Sequence, residues 1–324
     1  MLKDTYITIS LEKDGWKRQV ETLCWQGEFL VDYVGINKYS LSGEIISRGV
    51  NWAYKFDKAI SSPDGKYSVI LENCGTKGLV LEGDRLIREI NRSYYCAESY
   101  EYPLTIFPSL NGQMCLAHCP EEYNQIEIED IETGERLTSD RESHDFFQSR
   151  LQASPNGKYL LSAGWVWHPV DMVEVYDLEN ISSPEHFNLY HDETLDLFEF
   201  NSATFVDNSI IAVTGNGEDN ENDKCICAYD VEKRTVLSKS KLNENAGNLM
   251  AVDEKYVVGF YEYPKLINLR TGEILKEWKE ISSGKQNSSI NVQNEKYPPT
   301  AIDIERKRFA IADENFIHVV SLNE

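Results

Sequence analysis

The sequence predicts an all-β protein, a seven-bladed β-propeller of four-stranded blades that fills residues 1–324 as one domain. Three observations predict it: a turn motif recurring at intervals of 38 to 52 residues, short apolar runs between the turns, and weak helical periodicity throughout.

The turn motif is clearest in "AISSPDGKYSVILE" (Ala59 to Glu72) and "LQASPNGKYLLSAG" (Leu151 to Gly164). Each reads as a strand, a Pro-Asx-Gly turn and a second strand. Pro63 and Pro155 lie 92 residues apart, and their midpoint holds a third copy, "LTIFPSLNGQMCLAH", with Pro108 and Asn111-Gly112. Degenerate copies surround Trp25, Val206, Val252 and Ile304. Seven anchors then follow at steps of 38, 45, 47, 51, 46 and 52 residues. If Trp25 is not a true anchor, six blades is the alternative.

A third strand and a second turn follow each anchor, as in "GLVLEGDRLI", "IEIEDIETGERL" and "KLINLRTGEIL". Runs rich in Val, Ile and Tyr, closed by Asp, Asn or Gly, are β-strands. Four such strands per unit describe a ring in which each blade buries its faces against its neighbours. The last unit stops one strand short, after "IHVVSLNE", and an open ring would expose a strand edge. The alternating "TYITISLE" (Thr5 to Glu12) belongs to no unit, so it is expected to supply the missing outer strand and close the ring.

The "SPDGKY" and "SPNGKY" turns, with "VYDLEN", "AYDVEK" and "NLRTGE" at the ends of third strands, resemble WD40-like and related bacterial propeller repeats over nearly the whole chain. Two departures stand out. No unit has a Gly-His pair, and Tyr176-Asp177 and Tyr229-Asp230 replace Trp-Asp, so the hydrogen-bond network of the standard repeat is not implied.

In a propeller the connections between second and third strands, and those between blades, share one face, here called the top. The tryptophans of "GWVWHPV" fall in such a connection, which puts Trp165, Trp167 and His168 on the top face. The other top connections are also aromatic and acidic. They contribute Tyr94, Tyr95, Tyr100 and Tyr102; His144, Asp145, Phe147 and Arg150; Asp192 and Glu193; and Tyr261 and Tyr263. The alternative for the tryptophans is that they fold back to cap the channel or a neighbouring blade, since Trp is well buried on average.

Charge points the same way. The formal net charge is −22, and residues 1 to 58 hold eight basic and eight acidic side chains, so the remainder carries all of it. From Tyr159 to Asp223 there are fourteen acids and no Lys or Arg. Such a field repels nucleic acid and anionic lipid and attracts a basic protein or a cation, although acidity also serves solubility. No apolar run approaches the roughly 18 residues of a membrane span. Seven cysteines, an odd number in a chain too long to need staples, suit a reduced, cytoplasmic setting.

Catalytic signatures are thin. The six histidines form no H-x-x-x-H or H-E-x-x-H pair, and no G-x-S-x-G or P-loop occurs. "CLAHC" (Cys115, His118, Cys119) and the pair Cys225 and Cys227 read as core thiols before they read as metal ligands. "NGEDNENDK" (216–224) lacks the spacing of a calcium loop. His144 or His168 with Asp145 and Arg150 would be the acid/base group of a top-face pocket. No cofactor and no metal are expected. Two readings follow. The first is a non-catalytic scaffold, monomeric outside its complex, whose acidic, aromatic top face grips a basic protein, as an immunity protein grips a cationic toxin. The second is a propeller enzyme of lyase or hydrolase type, with convergent His, Arg and Tyr at the top of the channel.

Overall fold

The repeated turn builds its own hydrogen-bond cassette, which explains its sequence. In the second blade Ser62 Oγ donates to Asp64 Oδ1 at 2.5 Å and accepts from the Tyr67 amide at 2.9 Å, while the Lys66 amide donates to Asp64 Oδ1 at 3.0 Å. Ser154, Asn156, Tyr159 and Lys158 repeat the same three bonds at 2.9, 2.9 and 3.1 Å. Gly65 and Gly157 both sit at φ +71°, where a side chain is disfavoured. A Cβ on Gly157 would also lie 2.0 Å from the Pro108 carbonyl oxygen, so this turn packs directly on the blade before it.

The computed structural model describes residues 3–13, 15–52, 54–140, 142–217, 220–291 and 297–323, without the side chains of 220–222. Its strands form seven antiparallel sheets in a ring, plus a small hairpin of Glu12–Lys13 with Trp16–Lys17. From inner to outer strand, blade 1 runs Cys24–Gln26, Phe29–Asp32, Asn37–Ser40 and Ile45–Ser47. Blade 2 comprises Lys58–Ser61, Tyr67–Leu71, Lys77–Glu82 and Arg85–Asn91. Blade 3 has Leu104–Pro108, Met114–His118 and Glu127–Asp130, and its fourth strand shrinks to a bridge between Glu129 and Arg136. Blade 4 runs Leu151–Ala153, Tyr159–Val166, Val170–Asp177 and Glu185–Asn188. Blade 5 runs Leu197–Phe205, Ile210–Gly217, Asn220–Asp230 and Thr235–Lys241. Blade 6 follows with Leu249–Asp253, Tyr256–Tyr261, Tyr263–Asn268 and Ile274–Glu277.

Blade 7 is composite, and the expected closure is observed. Thr300–Asp303, Arg308–Ala312 and Phe316–Asn323 are joined by Lys3–Ser10, in unbroken register from Lys3 opposite Asn323 to Ser10 opposite Phe316. Ile9 and the following Leu11 are buried, each contributing about 1.5–3 kcal/mol of hydrophobic transfer. Asp4 accepts from Lys276 Nζ at 2.6 Å and Trp278 Nε1 at 3.2 Å, tying the strand to blade 6 as well.

The core is divided among the blades. Each of the seven blade interfaces has its own apolar cluster, from Val31, Tyr33 and Ile70 between blades 1 and 2 to Trp25, Leu30, Ile317 and Val319 across the closure. Trp25 is therefore a blade anchor, and the ring has seven units. No disulfide joins the cysteines, and Cys24, Cys115, Cys119, Cys225 and Cys227 are buried. The "CLAHC" residues split: Cys115 and Cys119 pack with blade 4, while His118 lies on the other side of its strand, 3.3 Å from Glu129. No helix among the described residues is long and apolar enough to cross a membrane.

Candidate binding surface on the top face

The aromatic loops of the top face converge on one stack. The "HDFFQSR" connection lies against the second strand of blade 4, with Phe147 and Trp165 exchanging backbone hydrogen bonds of 2.8 and 3.2 Å. Gly164 permits this approach. A Cβ there would meet the Phe147 carbonyl oxygen at 1.9 Å. The Phe147 ring then stacks on Trp165 at 3.8 Å, and the tilted ring of Tyr123 lies 4.3 Å away. Tyr100 closes the stack from below, edge-on to Phe147 at 5.6 Å and Trp165 at 6.3 Å.

Two further rings form its outer surface. Trp167 stands edge-on to Trp165 and to Phe147, each at 5.2 Å, and Tyr95 lies 5.0 Å from Tyr123 and 5.9 Å from Phe147. Trp167 is 46% exposed, Tyr95 49% and the adjacent Tyr94 80%. Exposed Glu98, Glu122 and Asp145 belong to the same loops, and Asp145 accepts from the Tyr123 hydroxyl at 2.8 Å. Burial, then that carboxylate, pushes the Tyr123 phenol up to about 12, so it remains a donor.

The sequence placed all these rings on the surface; the structure separates them. Tyr100, Tyr102, Phe147 and Trp165 are buried. Trp165 belongs to a strand rather than a loop, because the hairpin after Val166 has only Trp167, His168 and Pro169. His168 is exposed at its tip with φ +97°, a strained value for a residue with a side chain. The fold-back alternative thus holds for Trp165 and fails for Trp167.

Other expected residues lie apart from this cluster or turn inward. Arg150 is drawn into the channel, donating to the Ala163 carbonyl and to Asn248 Oδ1, both at 3.0 Å. Asp192 accepts from the Tyr229 hydroxyl at 2.6 Å, while Glu193 is exposed. Tyr261 lines a separate cleft, and Tyr263 lies under the Lys265 ammonium at 4.6 Å. His144 pairs with Glu174, at 2.8 and 2.9 Å, rather than with Asp145 or Arg150. The expected acid/base group is therefore not assembled. Of "NGEDNENDK", Glu218 and Asp219 lie outside the described residues.

Two features of this face were not anticipated. Arg92 is a buried anchor for the tyrosine loop: it donates to the carbonyls of Gly75, Ala97, Tyr100 and Glu101 and lies 4.5 Å from the Tyr100 ring. The second is a strap, the part of the blade 6–7 connection that runs up to Asn291, which crosses the channel mouth. Its Gln286 bonds Asn248 at 2.9 Å and Glu101 at 2.6 Å, and the Ser289 amide donates to Asp171 at 2.8 Å. The Asn291 amide donates to Ser99 at 2.8 Å, and its side chain to Cys74 of blade 2 at 2.8 Å. Burial alone would raise Glu101, but Lys58, then Gln286, holds its carboxyl below the ordinary range. The strap's signal in the sequence was the longest anchor step, 52 residues.

Beside the strap lies a polar cleft of about 360 Å³, lined by Asp171, Glu199, Asn216, Asn245, Tyr261 and Lys224 among others. Burial, then Asp171, raises the Glu199 carboxyl. No His or Arg is among the described residues that line it.

Seven antiparallel blades, a seam closed by the first strand and a loop-built top face define a seven-bladed β-propeller with the arrangement of WD40-like propellers. No protein-family model and no curated protein matches the sequence. Among solved structures, the chain is similar to one in the crystal structure of the mitotic checkpoint complex, with a TM-score of 0.61 at 10% identity over 98% of this chain and 91% of that one. It is also similar to Kuenenia stuttgartiensis hydrazine synthase, with a TM-score of 0.60 at 14% identity, covering 92% and 94%. One belongs to a protein assembly and the other to an enzyme, so the likeness carries the fold and leaves function to the site.

Proposed function

We propose that this protein is a non-catalytic binding propeller whose top-face aromatics receive a basic protein partner. One observation carries the reading: Tyr94, Tyr95 and Trp167 are exposed together over a rigid buried stack of Phe147, Trp165 and Tyr100. Large aromatics held at low entropy cost are the usual energetic centre of a protein interface. Glu98, Glu122 and Asp145 in the same loops, with the net charge of −22, select a cationic partner and speed encounter. A toxin-neutralising immunity protein is the narrower form of this reading, because a strongly basic toxin domain is the partner such a surface fits.

Affinity capture from native lysate at low and high salt tests it, with wild type beside Trp167→Ala. One basic partner is expected, weakened by salt and lost with Trp167. Recovery of the same partner by both proteins would overturn the assignment of this surface.

A further inference from the structure

Blade 4 brings two histidines to one buried carboxylate. Glu174, on the strand Val170–Asp177, has a side chain only 2% exposed, and His144 Nε2 reaches it from the blade 3–4 connection. On the outer strand, His186 pairs with Tyr176 and Asn188 with Glu174, so His186 and Glu174 project from the same face of the sheet. The imidazoles of His144 and His186 lie face to face, with centroids 4.2 Å apart and planes 7° apart. One ligand atom from each of the three residues lies within 4.8 Å of the others.

We propose that His144, Glu174 and His186 bind a zinc ion. Two imidazole nitrogens and one carboxylate oxygen are a zinc donor set, and three protein ligands leave a fourth position for water. Tetrahedral bonds of about 2.0–2.1 Å set ligand atoms roughly 3.3 Å apart. The His144–Glu174 contact has to widen by only about half an ångström to admit the ion. His186 is exposed, and its ring must turn out of the stack to direct a nitrogen lone pair at the metal.

The surroundings favour a ligand over a plain ion pair. Glu174 is held by the Tyr176 hydroxyl at 2.9 Å and the Asn188 amide at 3.3 Å, and Gln148 donates to Tyr176 at 2.6 Å. That is the supporting shell that orients metal ligands. Zinc would fasten the connection that also carries Phe147 onto the outer half of blade 4, a role independent of which partner the aromatic surface takes.

The test uses the full chain, stripped with a chelator and titrated with zinc against a chromophoric competitor, with cobalt as a spectroscopic substitute. Wild type should bind one equivalent, raise its melting temperature with zinc and show the visible absorption of tetrahedral cobalt. His186→Ala removes an exposed ring, so the fold should survive while affinity falls about a hundred-fold or more. Glu174→Gln preserves the size of the side chain and should also abolish the cobalt spectrum. Circular dichroism checks folding in each variant. Absence of wild-type binding, or binding that persists in both folded variants, would overturn the proposal.

Discussion

The two faces of the ring are built by different rules. Below, Ser62, Ser109 and Ser154 sit in nearly identical turns, each satisfied within a few residues of its own chain. Above, the connections reach across the molecule: the strap touches blades 2 and 4 and the connections into blades 3 and 6, and Phe147 packs between Tyr100, Tyr123 and the blade 4 strand that carries Trp165. Local bonding repeats because every blade can satisfy it alone. The top connections depend on one another, so each is individual and together they make a surface. The contrast is why the proposed binding surface is assigned to the face where the repeat breaks down.

Several substitutions would break or sharpen this contrast. The largest effect is expected where neither face is involved: deleting residues 1–10 removes the outer strand of blade 7, and the protein should lose cooperative thermal unfolding or aggregate. Trp165→Ala should cost about 3–5 kcal/mol in denaturant unfolding, as a fully packed tryptophan does. Trp167→Ala should change stability by less than about 1 kcal/mol yet weaken partner binding by about 2 kcal/mol, roughly 30-fold in Kd. Equal stability losses from the two would erase the distinction between buried stack and exposed cap.

Two glycines make a finer comparison. Gly164→Ala drives a methyl into the Phe147 carbonyl and should cost more than about 2 kcal/mol, whereas Gly112→Ala, in a bottom turn at φ +83° with open space around it, should cost about 1 kcal/mol. The smallest effect concerns pH. Burial raises the Asp4 carboxyl, but its bonds to Lys276 and Trp278 outweigh that and hold it below the ordinary range. A lowered carboxyl stabilises the fold above the unfolded value and loses that contribution as pH falls through the folded one. Wild type should therefore lose slightly more stability than Asp4→Asn on acidification below about pH 4.

The legible part of the molecule was the part made of local rules. Ser-Pro-Asx-Gly needs only its own residues to be recognised, so blade number, turn placement and the role of Thr5 to Glu12 could be read directly. Exposure of the top aromatics could not. Whether Trp165 faces water depends on Gly164 and on a connection arriving from blade 3. Arg92 left no trace because its acceptors are main-chain carbonyls, which every residue has. Glu174 and His186 meet through strand pairing, twelve positions apart and in no motif.

The seam also fixes an order of events. Lys3–Ser10 leaves the ribosome long before its partner, Phe316–Asn323, is made. At about 5–20 residues per second, the first strand waits roughly a quarter of a minute to a minute before it can pair. Throughout that interval an alternating, half-apolar strand is exposed beside a growing set of unclosed blades. Protection of nascent chains, as much as final stability, is thus a demand that this architecture places on the cell that makes it.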